Sequence, residues 1–247
     1  MTIDLNADLG EHEPRARTRA LMRLVTSANI ACSGHAGTPE SMEFCVRLAK
    51  ELGVHIGAHP GFSDSTGFGR KSREVEKEEL AMILLQQVSA LQAVAGANDA
   101  RVDHVKLHGA LYHAVESRAV LARCYVDTVK HYWPELRIFA FAGGQVESVA
   151  RRAGLEVWSE AFAERGYLDN ATLVRRTHPK ALVTDAHEVA ERIRRLSMFG
   201  EVLSIKGHPV RVHADTICVH ADTPNAIRIA RIIRHAISGE ELLPERE

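Results

Sequence analysis

The sequence lacks the cysteine spacing that indicates disulfide bonds or a thiolate metal site. Its four cysteines stand at positions 32, 45, 124 and 218, and no Cys-x-x-Cys pair occurs among them. Irregular spacing of this kind is typical of reduced, buried thiols. The first 13 residues carry four acidic side chains and no basic segment followed by an apolar core, which argues against a secretory signal. We therefore expect a cytoplasmic protein.

Long apolar runs and an excess of charge of one sign are also missing. The longer apolar runs, such as residues 81–85, are much shorter than the roughly 18 residues of a membrane span. Lysine and arginine number 31 against 32 aspartates and glutamates, so the formal charge is −1. A chain with this balance lacks the excess of positive charge that is typical of a nucleic-acid-binding protein. We expect neither a membrane nor a nucleic acid among its partners.

Several motifs that indicate a particular enzyme class are absent too. The chain has no His-Glu-x-x-His metal motif, no Gly-x-Ser-x-Gly nucleophile motif, no P-loop and no glycine fingerprint for dinucleotides. Each of these motifs supports one specific chemistry. If the protein consumes ATP, it therefore does so without the usual cradle for the phosphates. Histidine, by contrast, is abundant, with 14 residues, several of which follow apolar segments.

Short apolar segments alternate with longer segments of helical period along the whole chain. Such alternation predicts a parallel sheet covered by helices, and about seven units favour a closed, irregular (β/α) barrel of the α/β class. An open doubly wound sheet is the alternative. We expect one domain over residues 1–247, with residues 161–184 irregular. Strands are predicted at 3–6, 27–31, 54–58, 101–107, 137–142, 156–160 and 216–220, with a strand-like segment at 201–205; helices are predicted at 15–25, 38–52, 74–95, 118–131, 144–152, 185–198 and 223–237.

Polar side chains recur at one place in successive units, just after the apolar strand. In a parallel barrel these positions meet at the carboxyl-terminal face, where active sites of this architecture lie. Lys106 and His108 are two residues apart on a strand and therefore share a face. Arg70 follows a glycine and could meet an anion, although a solvated basic loop is the alternative. The other candidates are Asn6, Asp8, Glu11, Asn29, His35, His59, Glu160, His220 and Asp222.

Two chemistries fit these residue types. In the first, Asp8, His59 and His108 hold a divalent metal ion and leave positions open for water. In the second, no metal takes part: a carboxylate activates water while a lysine or a protonated histidine stabilises the oxyanion. The residues alone leave both open.

Six blocks of sequence resemble the LamB/YcsF family and occur in that family's order. They are residues 4–11, residues 29–37, Gly57-Ala58-His59-Pro60-Gly61, residues 105–112, residues 160–167, and Ile217-Cys218-Val219-His220 with Asp222-Thr223-Pro224. Together they extend over nearly the whole chain. The resemblance implies a seven-stranded barrel related to sugar deacetylases.

The resemblance also implies an activity. Members of the family take part in opening the lactam ring of 5-oxoproline to L-glutamate with hydrolysis of ATP, and they work with PxpB-like and PxpC-like partner subunits. Nucleotide chemistry would then be shared with or carried by the partners. On this interpretation Asp8 or Glu160 is the base, Lys106 and His108 stabilise the developing oxygen charge, and Asn6, Glu11, Asn29, His35, Arg70, His220 and Asp222 bind the substrate. The alternatives are a stand-alone metal-dependent deacetylase of an amidated sugar and a non-catalytic ligand-binding subunit.

Overall fold

Seven parallel strands close into a barrel in the computed structural model, which describes residues 3–238. Each strand pairs with its neighbour in chain order, and the seventh pairs with the first. This closure confirms the predicted barrel and excludes the open sheet. The barrel strands are β1 (Asp4–Leu9), β2 (Ser27–Ala31), β3 (His55–His59), β4 (His104–Val105), β5 (Arg137–Phe141), β6 (Val157–Phe162) and β9 (Thr216–His220); β7 (Glu201–Leu203) and β8 (Pro209–Arg211) form a separate antiparallel hairpin.

Helices follow the strands and cover the outside of the barrel. They are α1 (Arg15–Met22), α2 (Pro39–Leu52), α3 (Lys77–Ala97), α4 (Gly109–Ser117), α5 (Ala119–Tyr132), α6 (Gln145–Ala153), α7 (Ala186–Phe199) and α8 (Ala226–Ser238). Helix α2 begins as predicted, because the Thr38 hydroxyl accepts a hydrogen bond from the Ser41 backbone amide and Pro39 occupies the first turn. Helix α8 begins three residues later than predicted, because the Thr223 hydroxyl donates to Glu164.

Within residues 3–238, one helix, α3, has the length and the apolar composition that a membrane-spanning helix needs. Its side chains Leu84, Val88 and Leu91 are buried in the hydrophobic core around the barrel. This packing is that of a core helix in a layered α/β fold.

The barrel interior differs from the apolar interior that is usual for this architecture. Along β1, Leu5, Ala7 and Leu9 belong to the hydrophobic core, whereas the alternate residues Asn6 and Asp8 make polar contacts with other strands. Buried polar groups are costly unless they are hydrogen-bonded. Here they form hydrogen bonds across the barrel. The resulting network of polar side chains extends to the carboxyl-terminal end of the strands.

Strand β4 is shorter than the predicted 101–107 segment. Its ladder covers His104 and Val105, yet the Lys106 and His108 amides still donate to the carbonyls of Ala58 and Pro60, at 2.9 and 2.8 Å. Pro60 has no N–H with which to continue the ladder. The alternation of side chains therefore persists beyond the strand, as the spacing of Lys106 and His108 requires.

Candidate functional site

Asp8 at the end of β1 and Lys106 just after β4 form the centre of the site. Lys106 Nζ donates to Asp8 Oδ1 at 2.8 Å, and Asn29 Nδ2 donates to the same oxygen at 2.8 Å. Lys106 Nζ also lies 2.8 Å from Glu160 Oε1 and 3.0 Å from Cys218 Sγ. One ammonium group thus joins residues from β1, β6 and β9.

The two carboxylates keep Lys106 charged although it is buried. Burial alone would lower the pKa of Lys106, but Asp8 and Glu160 outweigh it and raise that pKa well above its ordinary value. Burial would likewise raise the pKa of Asp8, but His59 and Lys106 outweigh it and hold that pKa well below its ordinary range. At neutral pH the site therefore contains an ammonium ion and an ionised carboxylate in contact.

An imidazole pair stands beside Asp8. His59 Nδ1 donates to the Lys106 carbonyl at 2.8 Å, and His108 Nε2 donates to the Phe68 carbonyl at 2.9 Å. A carbonyl only accepts, so in the neutral rings the other nitrogens carry lone pairs. These nitrogens, His59 Nε2 and His108 Nδ1, are 3.0 Å apart and lie 3.8 and 3.1 Å from Glu11 Oε1.

His35 completes this cluster. Its ring stacks on His108 with a centroid separation of 3.5 Å, its Nε2 lies 3.0 Å from Glu11 Oε1, and its Nδ1 is buried without a hydrogen-bond partner. Burial lowers the pKa of His35 to about 4 and also lowers the pKa of His108. Burial would raise the pKa of Glu11, but its contacts with His108 and His35 outweigh burial and lower that pKa far below its ordinary value.

These four residues fit a divalent metal ion. One carboxylate and three imidazoles offer donor atoms within 4.8 Å of one another, which is a donor set that suits Zn²⁺ or a similar ion. Two facing lone pairs also need a proton or a cation between them. His59 and His108 are thus together, as the predicted metal set required, but with Glu11 and His35 as the further donors.

Asp8 belongs to a second group of donor atoms, with Cys218 and His220. Its Oδ2 atom is 3.3 Å from His59 Nε2, so it borders the first group. Burial raises the pKa of Cys218 well above its ordinary value, even though Lys106 opposes the shift. A protonated thiol is a poor metal ligand, so the second group suits a metal less well.

His220 at the end of β9 is oriented by a buried carboxylate. Glu164 Oε1 accepts hydrogen bonds from His220 Nδ1, from the His220 amide at 3.1 Å and from the Thr223 hydroxyl at 2.8 Å. His220 Nε2 lies 3.8 Å from Asp8 Oδ2, and the ring stacks on Phe162. A carboxylate bonded to one ring nitrogen fixes the tautomer and aims the other nitrogen.

A cavity of about 580 Å³ opens at this end of the barrel. Its size lies in the range of small-molecule sites. The residues predicted from the sequence that line this cavity are Asp8, His59, Arg70, Lys106, His108 and His220. The structure therefore brings residues from five segments of the chain to one opening.

The remaining predicted residues lie behind or beside that lining. Asn6 and Asn29 are fully buried and bond to each other, Glu160 is fully buried and accepts from the Tyr112 hydroxyl at 3.2 Å, and Glu11 and His35 form the imidazole cluster. Asp222 pairs with Arg70 at 2.6 Å. Direct contact between these residues and a substrate stays a prediction.

Sequence reasoning missed several residues of the site. Glu164 lies only four positions after Glu160 and was a detectable polar residue beyond a strand. His104 lies on the same inward face as Lys106, so the same alternation would have predicted it, and its Nε2 donates to Asn29 Oδ1 at 2.8 Å. Arg165, Arg175 and Arg176 line the cavity, but they come from the irregular segment, for which no pattern predicted an orientation.

Comparison with known proteins identifies the family of this chain. The LamB/YcsF family model matches residues 3–244. A relative from Pyrococcus horikoshii, named as a 5-oxoprolinase subunit, is 40% identical over 252 residues, which cover 100% of this chain and 99% of the relative. A relative of the same name from Nitrobacter winogradskyi is 42% identical over 241 residues, which cover 96% of this chain and 94% of the relative.

Solved structures give the same picture. The lactam utilization protein from Thermus thermophilus superposes with a TM-score of 0.89 at 41% identity, over 97% of both chains. A protein of Enterococcus faecalis whose suggested role is cellobiose-phosphate cleavage shares the fold at a TM-score of 0.54 and 13% identity, over 96% of this chain and 94% of its own. The family model and the relatives extend over essentially the whole chain, and the chain belongs to the LamB/YcsF family.

Proposed function

We propose that this chain is the lactam-opening subunit of an ATP-dependent 5-oxoprolinase, which converts 5-oxoproline to L-glutamate with hydrolysis of ATP. The observation that carries the proposal is the buried Lys106 ammonium, held 2.8 Å from both Asp8 and Glu160 beside an open cavity. The names of the relatives supply the substrate.

Lys106 acts on the lactam oxygen in this proposal, while His108 belongs to the imidazole cluster beside it. An amide carbonyl is a poor electrophile, and negative charge develops on its oxygen when water attacks the carbon. A fixed cation in a site that excludes water stabilises that charge strongly. Phosphorylation of the same oxygen at the expense of ATP would further activate the carbon.

Asp8 is the better candidate for the base that activates water. It lines the cavity and is ionised, whereas Glu160 is fully buried and does not line it. Glu160 then serves to position Lys106. His220, which Glu164 orients toward the cavity, is placed to donate a proton to the lactam nitrogen as the carbon–nitrogen bond breaks.

Glu11, His35, His59 and His108 would hold a divalent metal, as a donor set of one carboxylate and three imidazoles allows. Such an ion would supply Lewis-acid polarisation of the carbonyl or of bound water. His59 and His108 would then keep their backbone hydrogen bonds, which set the ring orientation.

ATP and two further subunits complete the proposal. The chain has no P-loop, so we assign ATP binding and phosphoryl transfer to PxpB-like and PxpC-like partners. We also propose that residues 1–247 form one domain and that the protein is cytoplasmic; its free cysteines at 32, 45, 124 and 218 agree with a reducing compartment.

The test is reconstitution. The purified chain, its two partners and the combined three subunits are each given 5-oxoproline and ATP, and glutamate and phosphate are measured. Glutamate formation that needs all three and consumes ATP supports the proposal. Glutamate formation of equal rate without this chain contradicts it.

A second candidate function is supported by the imidazole cluster. A metal bound by Glu11, His35, His59 and His108 is what a stand-alone deacetylase of an amidated sugar would require. Release of acetate from an acetylated amino sugar by the metal-loaded chain alone, without ATP, would favour this function. A third alternative, a ligand-binding subunit without catalysis, predicts ligand binding with neither product.

A further inference from the structure

The cavity is lined by more positive than negative side chains. Four of its lining residues are arginines, at positions 70, 165, 175 and 176, and Lys106 adds a fifth cation. Asp8 is the one carboxylate among the described lining residues. A cavity of this composition favours an anionic ligand.

Two of the cations already have counter-charges. Arg70 pairs with Asp222 at 2.6 Å, and Lys106 lies between Asp8 and Glu160. The other three cations, Arg165, Arg175 and Arg176, have no such partner among the described residues. In the part of the chain that the structure describes, no carboxylate oxygen lies within 4.0 Å of the charged groups of residues 165, 175 and 176.

Arg165 is the unusual member of this group because it is only 3% exposed. Its Nη2 and Nε atoms donate to the carbonyls of Val174 and Ala181, at 2.8 and 3.3 Å. These bonds fix the guanidinium plane but do not neutralise its charge. Burial, followed by the nearby Arg176, lowers the pKa of Arg165 to about 10. A buried charge of this kind is stabilised when a ligand supplies the counter-ion.

We propose that Arg165 and Arg176 bind the carboxylate of the lactam substrate. The inference rests on the proposed function, because it takes 5-oxoproline as the ligand. A guanidinium group binds a carboxylate through two parallel hydrogen bonds. The carboxylate and the carbonyl of 5-oxoproline lie on either side of the ring nitrogen. Anchoring the carboxylate at the arginines therefore leaves the carbonyl to Lys106.

Binding to the full-length chain tests the proposal by calorimetry with three probes: 5-oxoproline, its neutral carboxamide and inorganic phosphate. Arg176→Ala is the main variant, because this side chain is exposed at the cavity. Arg165→Lys keeps the charge but loses the planar pair of donors. Lys180→Ala is the matched control, since Lys180 is a cation of the same segment that lines a different groove.

We expect the unmodified chain to prefer 5-oxoproline over the carboxamide on the order of 10- to 100-fold, as hydrogen bonds to charged groups allow. Arg176→Ala should remove most of this preference, Arg165→Lys should reduce it, and Lys180→Ala should leave it unchanged. Melting temperatures show whether each variant is folded.

Several results would overturn the proposal. Equal affinity of the unmodified chain for acid and amide would do so, as would a preference that survives Arg176→Ala. Loss of phosphate binding with unchanged 5-oxoproline binding would assign the arginines to a phosphate group instead. Glutamate formation by the assembled complex tests the proposed function separately, because the acid-over-amide preference is measured without turnover.

Discussion

Lys106 Nζ lies 2.8 Å from Asp8 Oδ1, although the two residues are 98 positions apart in the chain. Each residue keeps the other ionised in a buried position, since burial alone would favour the neutral form of both. The pair is therefore a fixed dipole at the carboxyl-terminal end of the barrel, where Asp8 and Lys106 both line the cavity. Its removal should have consequences for chemistry and for stability.

Lys106→Met should abolish ATP-coupled glutamate formation, with a loss on the order of 100-fold or more, because the cation that stabilises the oxyanion is gone. We expect the variant to fold with reduced stability, by about 3–5 kcal/mol, since Asp8 and Glu160 lose their buried partner. Glutamate production by the assembled complex and urea unfolding of the chain measure the two effects.

Cys218→Ala is the control for Lys106→Met. Cys218 Sγ lies 3.0 Å from Lys106 Nζ, so this variant removes a neighbour of the ammonium without removing charge. We expect turnover within about threefold of the unmodified chain, as for one neutral contact. Unchanged turnover in Lys106→Met would remove Lys106 from the mechanism.

Glu164→Gln should lower kcat on the order of 100-fold. The buried carboxylate fixes the tautomer of His220 and offsets positive charge on its ring, and an amide does neither. Thr223→Val is the matched control, because the Thr223 hydroxyl donates to the same Glu164 oxygen but does not touch His220 Nδ1. A Glu164→Gln variant with unchanged kcat would reduce Glu164 to a structural role.

The purified chain should bind one divalent ion, and His59→Ala or Glu11→Gln should weaken that binding on the order of 10-fold or more. His113→Ala serves as the control, because His113 lines the cavity but is outside the group of four donors. Metal content after dialysis and the visible spectrum of the Co²⁺ form measure the effect. Equal metal content in all four proteins would contradict the site.

The order of the barrel strands could be predicted because apolar segments and helical periods alternate regularly. The predicted β2 matches the observed Ser27–Ala31 strand. The same regularity placed Asp8, Lys106, His108 and His220 at one end of the barrel, where the cavity lies.

What the sequence did not reveal depends on long-range contacts. Helix α4, nine residues that begin at Gly109, was not predicted. The hairpin partner of β7, Pro209–Arg211, is three residues long and was not predicted. The pairing of Glu164 with His220 joins residues 56 positions apart, and no local pattern specifies such a contact.

Glu116→Gln should stabilise the chain at alkaline pH and leave its stability near pH 5 unchanged. Burial raises the pKa of Glu116 to about 7, even though its Oε2 accepts from the Gln145 amide at 2.7 Å. The folded state therefore binds a proton more tightly than the unfolded state between about pH 4.5 and 7. Stability from this group is present at low pH and is lost as the pH rises through 7. The loss is about 3 kcal/mol, since one pKa unit corresponds to about 1.4 kcal/mol.

Urea unfolding at pH 5 and pH 8 measures the effect of Glu116→Gln. We expect the variant to exceed the unmodified chain in free energy of unfolding at pH 8 only, because glutamine stays neutral at both pH values. Glu43→Gln is the control, since Glu43 is an exposed helical carboxylate paired with Arg47, and exposed pairs contribute little. A gain of equal size at both pH values would show that Glu116 acts through packing rather than through its charge.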